Sequence, residues 1–430
     1  MSTANSTVNT AKTNANRKNS GSHAEDHHVV IVGANFAGLS AAKRLACKSD
    51  MQVTLVDPSK AFHWAPNIHE IVSGLKASTG VSISSEKIAR QLGHRFLDDE
   101  AVALDINNNE VRLADGELLA YDALLVACGL SASDMGISGA EENCIGMRHA
   151  EEAKRIEQRI AVGLAAKRPF AVTIIGAGFT GVELLGELLR KHANNKLLSI
   201  NVIESAPRVL AGLPSVIGED IRKQCTGHAV HFYLAKDISA IEKRAVKLQD
   251  GSSIDSDLTI CCAGTAIPEL IRESELACSE QGILVNDELQ SKTASNVFAA
   301  GDIAATTSSL KKQASFAIDM GKHAAGNIEA LLSGQAPRPF IPFQKPMLLS
   351  FGDINTYFIY NNSVFASPLL APLKEAVYQF YMAQFGASLP AAEQGFGLLG
   401  RYTRSVKEML LPELLKFRFA ELLGRSKRLQ

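Results

Sequence analysis

Val172-Thr-Ile-Ile-Gly-Ala-Gly-Phe-Thr-Gly-Val-Glu-Leu-Leu-Gly-Glu-Leu188 is a short apolar run, three glycines at Gly176, Gly178 and Gly181, and then a helical pattern. The order predicts a strand, a tight turn and a helix N-terminus. Gly176 permits the turn, Gly178 lets a pyrophosphate approach the backbone, and Gly181 lets the helix lie close on its strand. Free N–H groups at the positive end of the helix would hold the phosphates. Glu183 falls so near this loop that it reads as a cofactor contact. Glu187, one turn on, reads as a solvated charge.

One glycine loop is a weak signal, but the chain carries two. His28-Val-Val-Ile-Val-Gly33-Ala34-Asn35-Phe36-Ala37-Gly38 repeats the pattern, with Asn35 in place of the middle glycine. Asn tolerates left-handed backbone better than most residues, which would preserve the turn. A helix from Leu39 to about Cys47 is expected next. The following strand, Val53–Val56, ends in Asp57, and the strand Ile200–Ile203 ends in Glu204. An acid there accepts hydrogen bonds from ribose hydroxyls, and favours NADH over NADPH because it repels the extra phosphate. Arg208 lies close enough to weaken that preference. Each unit continues into a β-hairpin pattern and a small-residue turn, Cys128-Gly129 in the first and Ala263-Gly264 in the second. The duplication argues for two dinucleotide sites in an α/β chain with two Rossmann-like domains.

Composition narrows the class. The 430 residues suffice for two or three domains. A formal net charge of -1 gives no global field for nucleic acid. The seven cysteines, Cys47, Cys128, Cys144, Cys225, Cys261, Cys262 and Cys278, form no C-x-x-C and no metal-ligand spacing, so no metal is expected. Their odd, unpatterned count suits a reducing compartment. Residues 1–27 are rich in Ser, Thr and Asn and read as a disordered tail, with a mitochondrial transit peptide as the alternative.

Farther on, a strand pattern ends in Gly301-Asp302 before a helix expected over Ala314–Leu332. Over Val29–Phe351 the sequence resembles the two-dinucleotide flavoprotein superfamily that includes the type II NADH dehydrogenases and the ferroptosis suppressor protein. The resemblance implies FAD on the first loop, with Asp57 on its adenosine ribose, Asp302 on its ribityl chain and Gly129 in a turn touching the flavin. It implies NADH or NADPH on Gly176-Ala-Gly-Phe-Thr-Gly-Val-Glu183, which is close to the type II version of that motif. The expected domains are an FAD domain at 28–150 and 282–343, an inserted NAD(P)H domain at 151–281, and a C-terminal region at 344–430. Three departures stand out: Asn35, Cys128 in place of the usual Thr, and no paired glutamines after Lys312-Gln313. Lys312 is the candidate catalytic residue, stabilising anionic flavin or quinol oxygen, with a plain surface lysine as the alternative. The aromatic cluster Phe62-His63-Trp64 would pack on a flavin or belong to the core, and His63 and His69 read as structural or surface residues.

Disulfide reductases need a dithiol beside the flavin. The first domain has no such pair, Cys128 standing without a partner thiol, so electrons must leave for another acceptor, with quinone expected first. The alternatives are a protein acceptor, as in ferredoxin reductases, and a slow-turnover flavoprotein like apoptosis-inducing factor. From Leu369 the chain turns apolar and helical, and residues 401–430 mix eight Lys or Arg with three Glu among Leu, Met and Phe. Basic amphipathic helices of this kind lie in membrane interfaces. The other occupants of such a face are the domain core and a second copy in a homodimer. No apolar run approaches the ~20 residues of a membrane span, so a cytoplasmic protein bound peripherally to membrane is expected.

Overall fold

The computed structural model describes residues 27–133, 135–308, 310–386 and 427–429. Two five-stranded parallel sheets form its frame. In the first, the strand order is Val297–Ala299, Ala123–Val126, His27–Val32, Met51–Val56 and Arg95–Leu97. In the second it is Cys144–Gly146, Leu258–Cys261, Phe170–Ile175, Leu198–Glu204 and Val230–Leu234. Both central strands bury runs of Val and Ile on two faces, as a sheet covered by helices on both sides requires. Each such side chain contributes about 1.5–3 kcal/mol.

The registers show the duplication: Val29 and Val30 pair with Val53 and Thr54, as Val172 and Thr173 pair with Ile200 and Asn201. One difference sets the topology. The outer strand of the first sheet, Val297–Ala299, arrives only after the whole second sheet, so the second domain is inserted in the first. The chain crosses between domains twice, and the crossing segments Ser131–Ala132 and Thr265–Ala266 pair antiparallel.

The first loop helix is Phe36–Leu45 and starts three residues earlier than its apolar pattern predicts. Asn35 is the reason, because its Oδ1 accepts the Phe36 N–H at 2.8 Å and caps the helix. Asn35 is also extended (φ −105°), so its tolerance of left-handed backbone is not what preserves the loop. The left-handed position is Gly33 (φ 104°). This helix crosses Ala314–Leu332 at Gly321, where a Cβ would sit 2.8 Å from the Ala37 carbonyl carbon.

Beyond the second domain's return lies a four-stranded antiparallel sheet, Met347–Phe351, Asn355–Tyr360, Ser363–Ala366 and Lys427–Leu429, followed in space by the helix Ala371–Gly386. Lys427–Leu429 is therefore strand, not helix, paired through Val364↔Leu429. The rest of the expected basic amphipathic helix, and the expected N-terminal tail up to residue 26, lie outside the described residues. Among the described residues no helix is long and apolar enough to cross a membrane.

The second loop helix, Phe179–His192, carries this C-terminal sheet. A Cβ on Gly186 would lie 2.7 Å from the Phe351 carbonyl carbon, so helix and turn meet backbone to backbone. Gly186→Ala is expected to destabilise the protein by about 1–3 kcal/mol through overpacking. A thermal melt would register this as a lowered Tm, and an unchanged Tm would show that the turn yields without cost.

Candidate functional site

Each glycine loop closes on its strand by the same contact. A Cβ on Gly38 would overlap the Gly33 carbonyl, and one on Gly181 would overlap that of Gly176. Gly33 (φ 104°) and Gly176 (φ 95°) both sit in the left-handed region. Gly178 differs, because a Cβ there would meet nothing within 4 Å. That position is open toward a ligand, and it is the one Asn35 fills in the first loop.

The acids behind the loops are set alike. Asp57 accepts the Ala34 N–H at 2.7 Å through Oδ2 and the Ser59 N–H at 2.8 Å through Oδ1. Glu204 accepts the Ala177 N–H at 2.7 Å through Oε2 and the Ala206 N–H at 2.9 Å through Oε1. Burial pushes the Asp57 pKa up, and the two N–H donors pull it back. Arg208 donates to the carbonyls of Leu210, Ala211 and Leu213, which turns its guanidinium onto its own loop.

A cleft of about 2170 Å³ runs between the domains. Ala34, Asn35, Asp57, Cys128, Gly129, Gly178, Glu183, Gly264, Gly301, Asp302 and Lys312 all line it, as do Gly33, Phe36 and Ala37. Gly38, Gly176 and Gly181 do not, since they shape the loops from behind, and Glu204 stands outside the lining. Free helix-terminal N–H groups, an acid held behind each loop and this volume fit two dinucleotides meeting end to end.

Within the cleft the polar groups divide by partner. Lys312 donates to the carbonyls of Gln281 (3.0 Å), Ala304 (3.3 Å) and Asp302, so its ammonium ties three pieces of backbone together. Burial raises the Asp302 pKa against the opposing charges of Lys312 and Arg148. Burial pushes the Cys128 thiol up to about 12. Glu183 is buried, and its Oε1 accepts from Lys374 Nζ at 2.6 Å and from the Ser350 N–H at 3.2 Å. His69 Nδ1 stands 3.4 Å from the other oxygen, and burial together with Lys374 holds this histidine well below its ordinary pKa, hence neutral.

Glu187 corrects the expectation of a solvated charge. It is 1% exposed, with Arg190 Nε at 3.1 Å. Its face of the helix meets Ser73 and the acids Glu70 and Asp353, and burial pushes its pKa up to about 7. Phe62 and Trp64 are core. Phe36 and Phe62 meet edge to face at 5.0 Å, and Trp64 stacks on Tyr381 of the C-terminal helix at 5.5 Å. Sequence reading missed Arg148, Lys374 and Tyr381. Of these only Arg148 had a local signal, the His149-x-x-Glu152 spacing of a capped helix start, where Glu152 accepts the Arg148 and His149 N–H groups.

Residues 27–321 match the family model described as pyridine nucleotide-disulphide oxidoreductase. Among curated relatives, the type II NADH:quinone oxidoreductase of Staphylococcus haemolyticus is 25% identical over 75% of this chain and 87% of its own. The demethylphylloquinone reductase NdbB of Synechocystis sp. is 28% identical over 73% and 81%. Among solved structures, NDH2 of Plasmodium falciparum in complex with NADH superposes with a TM-score of 0.76 at 14% identity, covering 88% of this chain and 98% of that one.

Glu187 generates a pH test. Between its ordinary 4.5 and about 7 the folded protein holds a proton the unfolded chain has released, so this group's contribution to stability falls as pH rises through that window. Glu187→Gln should therefore melt higher than the parent at pH 8, with the gap closing toward pH 4.5. A gap that is constant with pH would show that the carboxylate does not titrate there.

Proposed function

The chain belongs to the pyridine nucleotide-disulphide oxidoreductase family, and we propose that it is a type II NADH:quinone oxidoreductase holding FAD on the first glycine loop and NADH on the second. The observation that carries this reading is the single cleft onto which both loops open. When bound, FAD supplies the chemistry, taking a hydride from the nicotinamide and passing two electrons on. The protein's residues bind and orient. Asp57 would receive ribose hydroxyls of FAD, and Asp302, half-buried at the cleft wall, would receive those of the ribityl chain. Lys312, committed to three carbonyls, would hold the Gly301–Ile303 turn and with it Asp302 in place.

Two features support quinone over a dithiol acceptor. The thiols that line the cleft, Cys128, Cys261 and Cys262, are all pushed up by burial and so stay protonated, the unreactive form. One end of the cleft is walled by the C-terminal helix, where Leu373, Val377 and Phe380 remain exposed. That apolar rim suits an acceptor dissolved in lipid and a peripheral seat on the membrane surface.

Anaerobic NADH should bleach the flavin spectrum, and a short-chain quinone should restore it. Bleaching without recovery would move the acceptor to a protein partner. Because Arg208 is turned onto its own loop, NADH should be preferred to NADPH. Glu204→Gln, which loses a charged acceptor, should narrow that preference in kcat/KM by roughly tenfold or more. An unchanged ratio would show that Glu204 does not read the ribose.

A further inference from the structure

We propose that Arg148 is a positioning residue for hydride transfer: its guanidinium ties together the two chain crossovers that join the dinucleotide domains, and so sets the separation of the two bound ligands. The proposal rests on the reading that NADH reduces a flavin across the cleft.

The crossovers themselves are slight. Among the described residues two pairs, Ser131↔Ala266 and Ala132↔Thr265, link them as strands. Elsewhere the domains meet through the packing of Glu70–Ser73 on Ala150–Ala165 and Phe179–His192, but at the cleft itself their spacing passes through these crossovers. Arg148 bonds to both crossovers at their roots. Its Nη1 donates to the Leu130 carbonyl at 3.0 Å, and its Nη2 donates to the Gly264 carbonyl at 2.8 Å. Leu130 follows Gly129 (φ 70°), and Gly264 is itself left-handed (φ 83°). These turns come just after the strands Ala123–Val126 and Leu258–Cys261, at the carboxyl ends of the two sheets, where ligands of open parallel sheets bind.

The side chain that spans them is itself anchored. The N–H groups of Arg148 and His149 both donate to Glu152 Oε2, at 2.6 and 2.9 Å, at the start of the helix Ala150–Ala165. A Cβ on Gly146 would lie 3.1 Å from the Glu152 carboxyl carbon, so that carboxylate has little room to move. The planar guanidinium presents two parallel donors at a set spacing, which a lysine ammonium cannot do. Arg148 also lines the cleft, where burial lowers its pKa against the opposing charges of Glu152 and Asp302.

The test is anaerobic stopped-flow reduction of the flavin at saturating NADH, in Arg148→Lys and Arg148→Met. A displacement of about 1 Å between reacting groups costs on the order of 100-fold. Both variants should therefore reduce the flavin roughly 10–100-fold more slowly. Flavin content, NADH affinity and the rate of reoxidation by quinone should stay close to those of the parent. The long-wavelength charge-transfer absorbance, which needs flavin and nicotinamide in stacking contact, should weaken in both. Parental reduction rates in either variant would overturn the proposal. Full rescue by lysine would do the same, since the charge alone would then suffice. Variants that purify without flavin or fail to fold would also overturn it, assigning Arg148 to cofactor retention or folding. If the parent itself is not reduced by NADH, the functional reading fails, and that is known before any variant is compared.

Discussion

A glycine Cα pressed against a carbonyl oxygen is the contact on which the molecule is built. Gly38 on Gly33, and Gly181 on Gly176, bring a helix N-terminus down onto the end of the strand before it with no room for a methyl group. The freed N–H groups then point past the sheet edge, and one of them, on Ala34 or Ala177, locks onto the acid that ends the neighbouring strand. The closure serves packing and binding together. It seals the core beneath the loop and leaves the positive end of the helix bare above it. Two such closures facing one cleft create a place for two dinucleotides to meet.

The C-terminal region is fastened to that frame by buried charge as well as by apolar area. Glu183, in the turn after the second loop, reaches Lys374 on the last described helix, and Arg190, two turns on, reaches Asp353 between the first strands of the C-terminal sheet. Glu183–Lys374 is taken out of water, and such a pair adds little net stability over apolar packing although removing one partner costs about 3–5 kcal/mol; Asp353 is 40% exposed and its pair is worth less. The buried pair therefore acts as a register for the wall of the cleft formed by Leu373, Ala376 and Val377.

What the sequence disclosed followed from locality. Both loops, both acids, the helix over Ala314–Leu332 and the internal duplication lie in short windows where spacing and residue type carry the physics. Asn35 shows the edge of that method. Its residue type points to left-handed backbone, whereas the extended backbone and the cap on Phe36 depend on which of the three glycine positions is left-handed. Glu187 shows what lies beyond it. Helical spacing marks it as a charge one turn from Glu183, but its burial depends on Ser73 and Asp353, far away in sequence. The partners of Arg148 and Lys374 are hidden for the same reason: the His149-x-x-Glu152 spacing marks where Arg148 stands, but a guanidinium or ammonium announces nothing about carbonyls and carboxylates more than a hundred residues distant.

The late arrival of the strand Val297–Ala299 has a consequence for biosynthesis. The five strands of the second sheet lie in one uninterrupted stretch, from Cys144 to Cys261, and can close as soon as that stretch has left the ribosome. The first sheet begins earlier, at His27, but its Ala123–Val126 edge stays bare until the chain has passed Ala299. At about 5–20 residues per second that edge waits on the order of ten seconds or more. Of the two dinucleotide domains, the one translated first is thus the one completed last. Through that interval an apolar, unpaired strand edge stands exposed, and it is the natural point for a chaperone to guard or for misassembly to begin.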